Sequence, residues 1–100
     1  MSTAVIRYRI KPESADENQR LIENVFAELA TAAPAGLRYS TFRLPDGVTF
    51  IHVVDGEGLP ELASFKEFQR DFGHWLAGDL TREEGTLIGS YAGAVATTRG

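Results

Sequence analysis

The tripeptide Pro45-Asp46-Gly47 constrains this chain more than any other feature. Proline presets φ for a turn, aspartate can accept from the backbone just ahead, and glycine tolerates positive φ, so together they mark a hairpin. The flanking runs, Leu37 to Leu44 and Val48 to Val54, hold the aromatic and β-branched residues that strands favour. A three-residue turn pairing Leu44 with Val48 predicts Phe42 opposite Phe50 and Ser40 opposite His52 on one face, with Arg38 and Val54 beyond them. Tyr39, Thr41, Ile51 and Val53 then share the other face.

Each side of that hairpin carries one helix and one strand. Ala4 to Ile10 alternates, with Ile6, Tyr8 and Ile10 on one side and Val5, Arg7 and Arg9 on the other. Lys11-Pro12-Glu13 stops this strand, and Ser14 with Glu17 makes a capping-box signature. Leu21, Ile22, Val25, Phe26, Leu29 and Ala30 then trace one helical stripe, which Pro34-Ala35-Gly36 ends. After Asp55-Gly56-Glu57-Gly58, a second helix is predicted from about Pro60 to Leu76, striped with Leu62, Phe65, Phe68, Phe72 and Trp75. Glu83-Glu84 reads as a solvated loop and Thr86 to about Ala94 as the last strand.

This order predicts an α+β, ferredoxin-like βαββαβ fold, a four-stranded antiparallel sheet with two helices on one face and the first and third strands central. On the expected register the bare face presents Phe42, Phe50, His52, Arg7 and Arg9. Such a patch is unusual on a monomer, and pairing two sheets covers it, so a homodimer through the sheet face, a dimeric α/β barrel, is expected.

One hundred residues suit one domain, expected over residues 1–95 with a frayed tail at 96–100. The chain has no cysteine, which excludes disulfides, thiolate nucleophiles, iron–sulfur clusters and cysteine-ligated zinc. A net charge of −4 opposes a nucleic-acid or acidic-membrane partner. No stretch approaches the roughly 18 to 20 apolar residues of a span, and no signal-peptide pattern opens the chain, so a cytoplasmic location is expected.

The chemistry-bearing residues are few. His52 lies mid-strand on a rigid scaffold, where a neighbouring charge could tune it as a general base, and Arg7 and Arg9 could form a cationic floor for a phenolate or enolate. Against this, a hydrogen-bonded structural histidine and rim arginines paired across a dimer explain the same residues. Phe42, Phe50 and Trp75 are candidate apolar walls for a ligand. Phe65, Phe68 and Phe72 fit that role or simply core. Tyr8, Tyr39 and Tyr91 could each offer a hydroxyl to a ligand, although Tyr8 belongs under the helices; Tyr91, the most ambiguous of the three, is taken as a candidate ligand contact. His74 suits the end of the second helix. Ser40 facing His52 lacks an orienting acid and an oxyanion hole. His52 and His74 have no metal-ligand spacing, and Gly56-Glu57-Gly58 is a turn rather than a dinucleotide loop.

Val5-Ile6-Arg7-Tyr8-Arg9-Ile10-Lys11-Pro12, Leu44-Pro45-Asp46-Gly47-Val48, Phe65-Lys66-Glu67-Phe68 and Ile88-Gly89-Ser90-Tyr91 together resemble the dimeric α/β-barrel superfamily. Within it, the chain is similar to the small antibiotic-biosynthesis-monooxygenase-like proteins. The resemblance implies a homodimer of ferredoxin-like subunits, each with a pocket between sheet and helices. It also implies a small aromatic or quinol-type ligand oxidised by dioxygen without flavin or metal, so no cofactor is expected. A related branch degrades haem with an Asn, a Trp and a His; here His74 and Trp75 are adjacent and Arg7 stands where an amide is wanted, so that set does not map. The alternative is a non-catalytic binding or interaction module whose sheet face serves dimerisation.

Overall fold

Alternation along β1 (Ser2–Arg9) sorts the molecule into two sides. Tyr8 is buried and Ile6 half-buried, while Arg7 and Arg9 on the opposite side are exposed. The computed structural model describes residues 2–91. After β1 come α1 (Ala15–Ala32), β2 (Arg38–Arg43), β3 (Thr49–Asp55), α2 (Ala63–Arg70), α3 (Phe72–Trp75) and β4 (Thr81–Thr86). The strands form one antiparallel sheet ordered β2-β3-β1-β4, so the first and third strands are its centre. Helices α1 and α2 pack on one face, where Tyr8, Leu21, Ile22, Val25, Phe50 and Phe68 share a buried core. Full burial of each large apolar side chain there contributes about 1.5–3 kcal/mol.

The hairpin forms one residue out of the expected register. Arg43 pairs with Phe50, Phe42 with Ile51 and Thr41 with His52. The cause is Asp46, whose carboxylate accepts from the amides of Val48 and Thr49 (both 2.9 Å) and from the Thr49 hydroxyl at 2.5 Å. These bonds hold Val48 in the loop, and the Leu44 amide closes the turn on the Thr49 carbonyl at 2.9 Å. A shift of one residue exchanges the faces of a strand. Tyr39 and Thr41 therefore join His52 and Phe50 beneath the helices, and Phe42, 54% exposed, points to the other side. The expected bare patch of Phe42, Phe50, His52, Arg7 and Arg9 is corrected accordingly: Phe50 and His52 belong to the core.

Three further expectations are revised. The capping box does not form, because Pro12–Ser14 makes a 3₁₀ turn that leaves Ser14 without a side-chain cap, and Glu17 pairs with Arg20 instead. The second helix breaks at Asp71, beside the weak helix former Gly73. The break lets the Trp75 carbonyl accept from the Lys11 amide at 2.8 Å and Leu76 bridge to Ile10. Glu28 of α1 serves as a cap from outside, accepting from the Ser64 amide at 2.9 Å and so joining the two helices. The last strand is Thr81–Thr86 rather than Thr86 to Ala94, so Glu83-Glu84 is strand; residues 87–91 form none, and 92–94 lie outside the described residues. β4 is an exposed edge, where a charged sequence hinders unwanted pairing and so hides the strand from a hydrophobic pattern.

Gly56 and Gly58 shape the chain where β3 leaves the sheet, with φ of +102° and +111°. A Cβ on Gly56 would overlap the Gly36 carbonyl oxygen and lie 3.0 Å from the Leu37 Cα, whereas one on Gly58 meets only Pro34 at 3.8 Å. Gly58→Ala is expected to cost about 1–3 kcal/mol through backbone strain, and Gly56→Ala about 1–3 kcal/mol more through overlap. Urea unfolding measures both, and equal losses would show that the Gly36–Gly56 contact is not rigid.

Candidate functional site

His52 occupies the middle of β3 and is 4% exposed. Its Nε2 lies 2.6 Å from the Tyr8 hydroxyl, and its Nδ1 lies 2.6 Å from the Tyr39 hydroxyl and 3.3 Å from Thr41 Oγ1. Asn18, on the first turns of α1, donates its Nδ2 to the Tyr8 hydroxyl at 3.2 Å. β1, β2, β3 and α1 thus each supply one member of a line running Asn18, Tyr8, His52, Tyr39. Rings hold it in place. Tyr8 stacks on Phe50 and His52 and meets Phe72 edge-on at 4.7 Å; Phe26 stacks on Tyr39 at 4.9 Å; Phe68 lies 5.8 Å from the imidazole.

Burial sets the protonation of this line. Desolvation disfavours the imidazolium and lowers the His52 pKa from 6.5 to about 4. Burial likewise pushes Tyr39 up to about 12 and Tyr8 higher still. At neutral pH the line is therefore uncharged, with one ring nitrogen donating and the other accepting.

Tyr8, Tyr39 and His52 form the floor of a cavity of about 380 Å³ between the sheet and α2. Phe65, Phe68 and Phe72 roof it, and Leu80 and Arg82 stand on the β4 side. The walls are mainly apolar, as ligand pockets are. The Arg82 side chain is about half exposed, and its ion-pair contact with Glu84 is long at 3.5 Å.

Of the residues singled out from sequence, this cavity takes His52 alone among the proposed catalytic set. Arg7 and Arg9 lie on the opposite face of the sheet. Phe50 is buried behind Tyr8, and Trp75 packs on the core without lining the cavity. Phe42 faces away, and Tyr91, beyond β4, is 92% exposed. His74 is exposed in the last turn of α3, and Ser40 pairs with Val53 rather than His52. Phe65, Phe68 and Phe72, read as either core or cavity wall, line the cavity. Sequence reasoning does not single out Asn18 or Arg82. A polar residue on the apolar stripe of α1, one turn before Leu21 and Ile22, is the signal for the first. No signal marks the second, because its strand, Thr81–Thr86, is exposed throughout and carries no apolar alternation.

Among the described residues, no group of three or more metal-ligating side chains occurs, and no helix is long and apolar enough to cross a membrane. No protein-family model and no curated protein matches the chain. Solved structures do. A structure named antibiotic biosynthesis monooxygenase aligns with a TM-score of 0.70 at 17% identity, covering 89% of this chain and 100% of the other. "Putative antibiotic biosynthesis monooxygenase from Nitrosomonas europaea" aligns at 0.69 and 13% identity, covering 87% and 90%. Rv0793 from Mycobacterium tuberculosis aligns at 0.67 and 15%, covering 92% and 100%. At such identities the likeness shows the fold. The chain has the ferredoxin-like, α+β fold of these structures, as its sequence resemblance implies.

The buried imidazole makes stability pH-dependent. The unfolded chain takes up the His52 proton near pH 6.5 and the folded chain only near pH 4, so between the two the unfolded state binds more protons. The contribution of His52 is complete above about pH 6.5 and declines on acidification, by about 3 kcal/mol at pH 4. Denaturant unfolding of wild type and His52→Asn across this range isolates it, since the carboxylates titrate in both. An NMR titration placing the His52 midpoint at or above pH 6 would contradict this assignment.

Proposed function

We propose that the cavity binds a small aromatic, quinol-type ligand and that the protein acts on it as a cofactor-independent monooxygenase-like enzyme. The observation carrying this reading is a hydroxyl–imidazole–hydroxyl line on the floor of an aromatic-walled cavity. Stacking rings accept a planar ligand, the Tyr39 hydroxyl meets its oxygen, and the Arg82 guanidinium at the mouth favours an enolate or phenolate. His52, bonded to the Tyr39 oxygen, supports that hydroxyl as it hydrogen-bonds the ligand oxygen and stabilises negative charge developing there. For an anthrone the reaction balances without an outside reductant: the methylene carbon loses two hydrogens and gains one atom of dioxygen, and the other atom leaves as water.

A second reading, a non-catalytic binding module, is favoured by one observation. Both His52 nitrogens are engaged and burial opposes its protonation, so the ring is a weak base at neutral pH. Oxygen uptake with a panel of hydroquinones and anthrones separates the two. Uptake above background that falls about a hundredfold in His52→Ala and Tyr39→Phe is expected for the enzyme. Binding with no uptake leaves the module, and no binding by any member removes both.

We also propose that a second copy covers the other face of the sheet. Val5, Ile51 and Val53 are half-buried there beside Phe42, Arg7 and Arg9, and no described helix lies over them. Past β4, Ile88 is 97% exposed and Leu87 and Tyr91 also reach solvent, more apolar surface than a lone subunit usually shows. Light scattering is expected to give twice the 10.9 kDa chain mass, with Phe42→Glu shifting it toward one chain. Wild type at single-chain mass at micromolar concentration would overturn this proposal.

A further inference from the structure

Asn18 is fully buried, and its amide is spent on one contact: Nδ2 donates to the Tyr8 hydroxyl while Oδ1 has no hydrogen-bond partner. The opposite amide orientation would aim Oδ1 at Tyr8 and strand the NH₂ donors instead. A buried donor without a partner is the rarer of the two conditions, because a carbonyl oxygen tolerates under-satisfaction better than an N–H does.

That choice propagates. With Asn18 donating, His52 Nε2, 2.6 Å away, is the one acceptor among the described residues within reach of the Tyr8 hydroxyl, so the Tyr8 proton goes there rather than unpartnered in the core. A neutral imidazole that accepts at Nε2 carries its hydrogen on Nδ1 and donates it to the Tyr39 oxygen. The Tyr39 proton is then directed away from His52. It is left for the Thr41 hydroxyl, which neighbours the same nitrogen, or for an occupant of the cavity that Tyr39 lines.

We infer that Asn18 is a positioning residue that polarises the line in one direction, Asn18 to Tyr8 to His52 to Tyr39, so that the cavity presents a hydrogen-bond donor and selects ligands with an acceptor, such as a ring carbonyl or phenolate, at that point. This inference rests on the ligand reading above and narrows its substrate class. Asn18 touches no ligand; it acts through Tyr8 and His52. Reversing its polarity reverses the line. An acceptor at position 18 takes the Tyr8 proton, the Tyr8 oxygen takes a hydrogen from Nε2, and Tyr39 spends its own proton on Nδ1.

The test reads the tautomer directly, by ¹⁵N–¹H long-range correlation of the imidazole at pH 7 in a His74→Gln background that leaves one histidine. Wild type is expected to be protonated on Nδ1, Asn18→Asp on Nε2, and Asn18→Leu, which offers neither donor nor acceptor, to show a mixture. Should Asn18→Asp not fold, Asn18→Leu decides. An Nε2-protonated wild type, or a tautomer that Asn18→Leu and Asn18→Asp leave unchanged, overturns the inference whatever binds. In a parallel arm, 9-fluorenone and fluorene are titrated against wild type and Asn18→Asp. The ketone is expected to bind about fivefold tighter in wild type, the ratio for one neutral hydrogen bond, and to lose that advantage in Asn18→Asp. Equal binding in wild type overturns the selectivity. If neither compound binds while the tautomers behave as stated, the ligand reading falls and the polarised line stands.

Discussion

The carboxylate of Asp46 decides which side of β2 faces His52. By tying down two amides and a hydroxyl ahead of it, Asp46 keeps Val48 in the loop and sets the pairing of β2 with β3. A slip of one residue would place Ser40 and Phe42 on the helix side, and Tyr39 and Thr41 outside. The imidazole would then lose its Nδ1 partners, and the cavity would lose the hydroxyl on its floor. One turn residue at the surface thus fixes the composition of a buried site on the far half of its strand.

The site obeys a further constraint, the cost of burying polar groups. An imidazole sealed under α2 must be neutral or paired with an anion, and no carboxylate among the described residues bonds it. Two tyrosines supply its partners at little cost, because their rings pack like core residues while each hydroxyl satisfies one nitrogen. Charge is kept apart. Arg82, beside the opening, stays half in water, where its hydration is retained. The cavity thus carries a half-exposed cation on its β4 side and neutral hydrogen-bonding groups at its floor.

How much of this could be read from the residues varies from element to element. Tyr8 alternates with Arg7 and Arg9, so its side of the sheet was evident, and the stripe from Leu21 to Leu29 defined α1. The topology followed from element order. The hairpin is legible as a hairpin, yet its register goes with the bonds of Asp46 to Val48 and Thr49, which composition does not reveal. β4 is not legible in the sequence because Thr81-Arg82-Glu83-Glu84-Gly85-Thr86 has no apolar alternation; an exposed edge strand needs none. That omission hid Arg82, and the register hid the meeting of His52 with Tyr39. The site was thus visible in its members and not in its assembly, since each missing link was a pairing between distant segments.

The same reasoning bears on what a shared fold conveys. Structures at 13–17% identity superimpose on this chain over most of its length, so the sheet order and helix placement survive nearly complete replacement of side chains. The backbone supplies a cavity between sheet and second helix; it does not dictate which side chains floor it. Here the cations of the opening strand, Arg7 and Arg9, are turned from the cavity by alternation alone, and a strand without hydrophobic pattern brings in Arg82 instead. Chemistry in this protein is therefore a matter of register. Because adjacent strand residues face opposite ways, a functional assignment carried over by strand number alone is as apt to land on the wrong face as on the right one. The pairing partners Ile6 with His52 and Ile6 with Arg82 are the information that places both side chains on the cavity side.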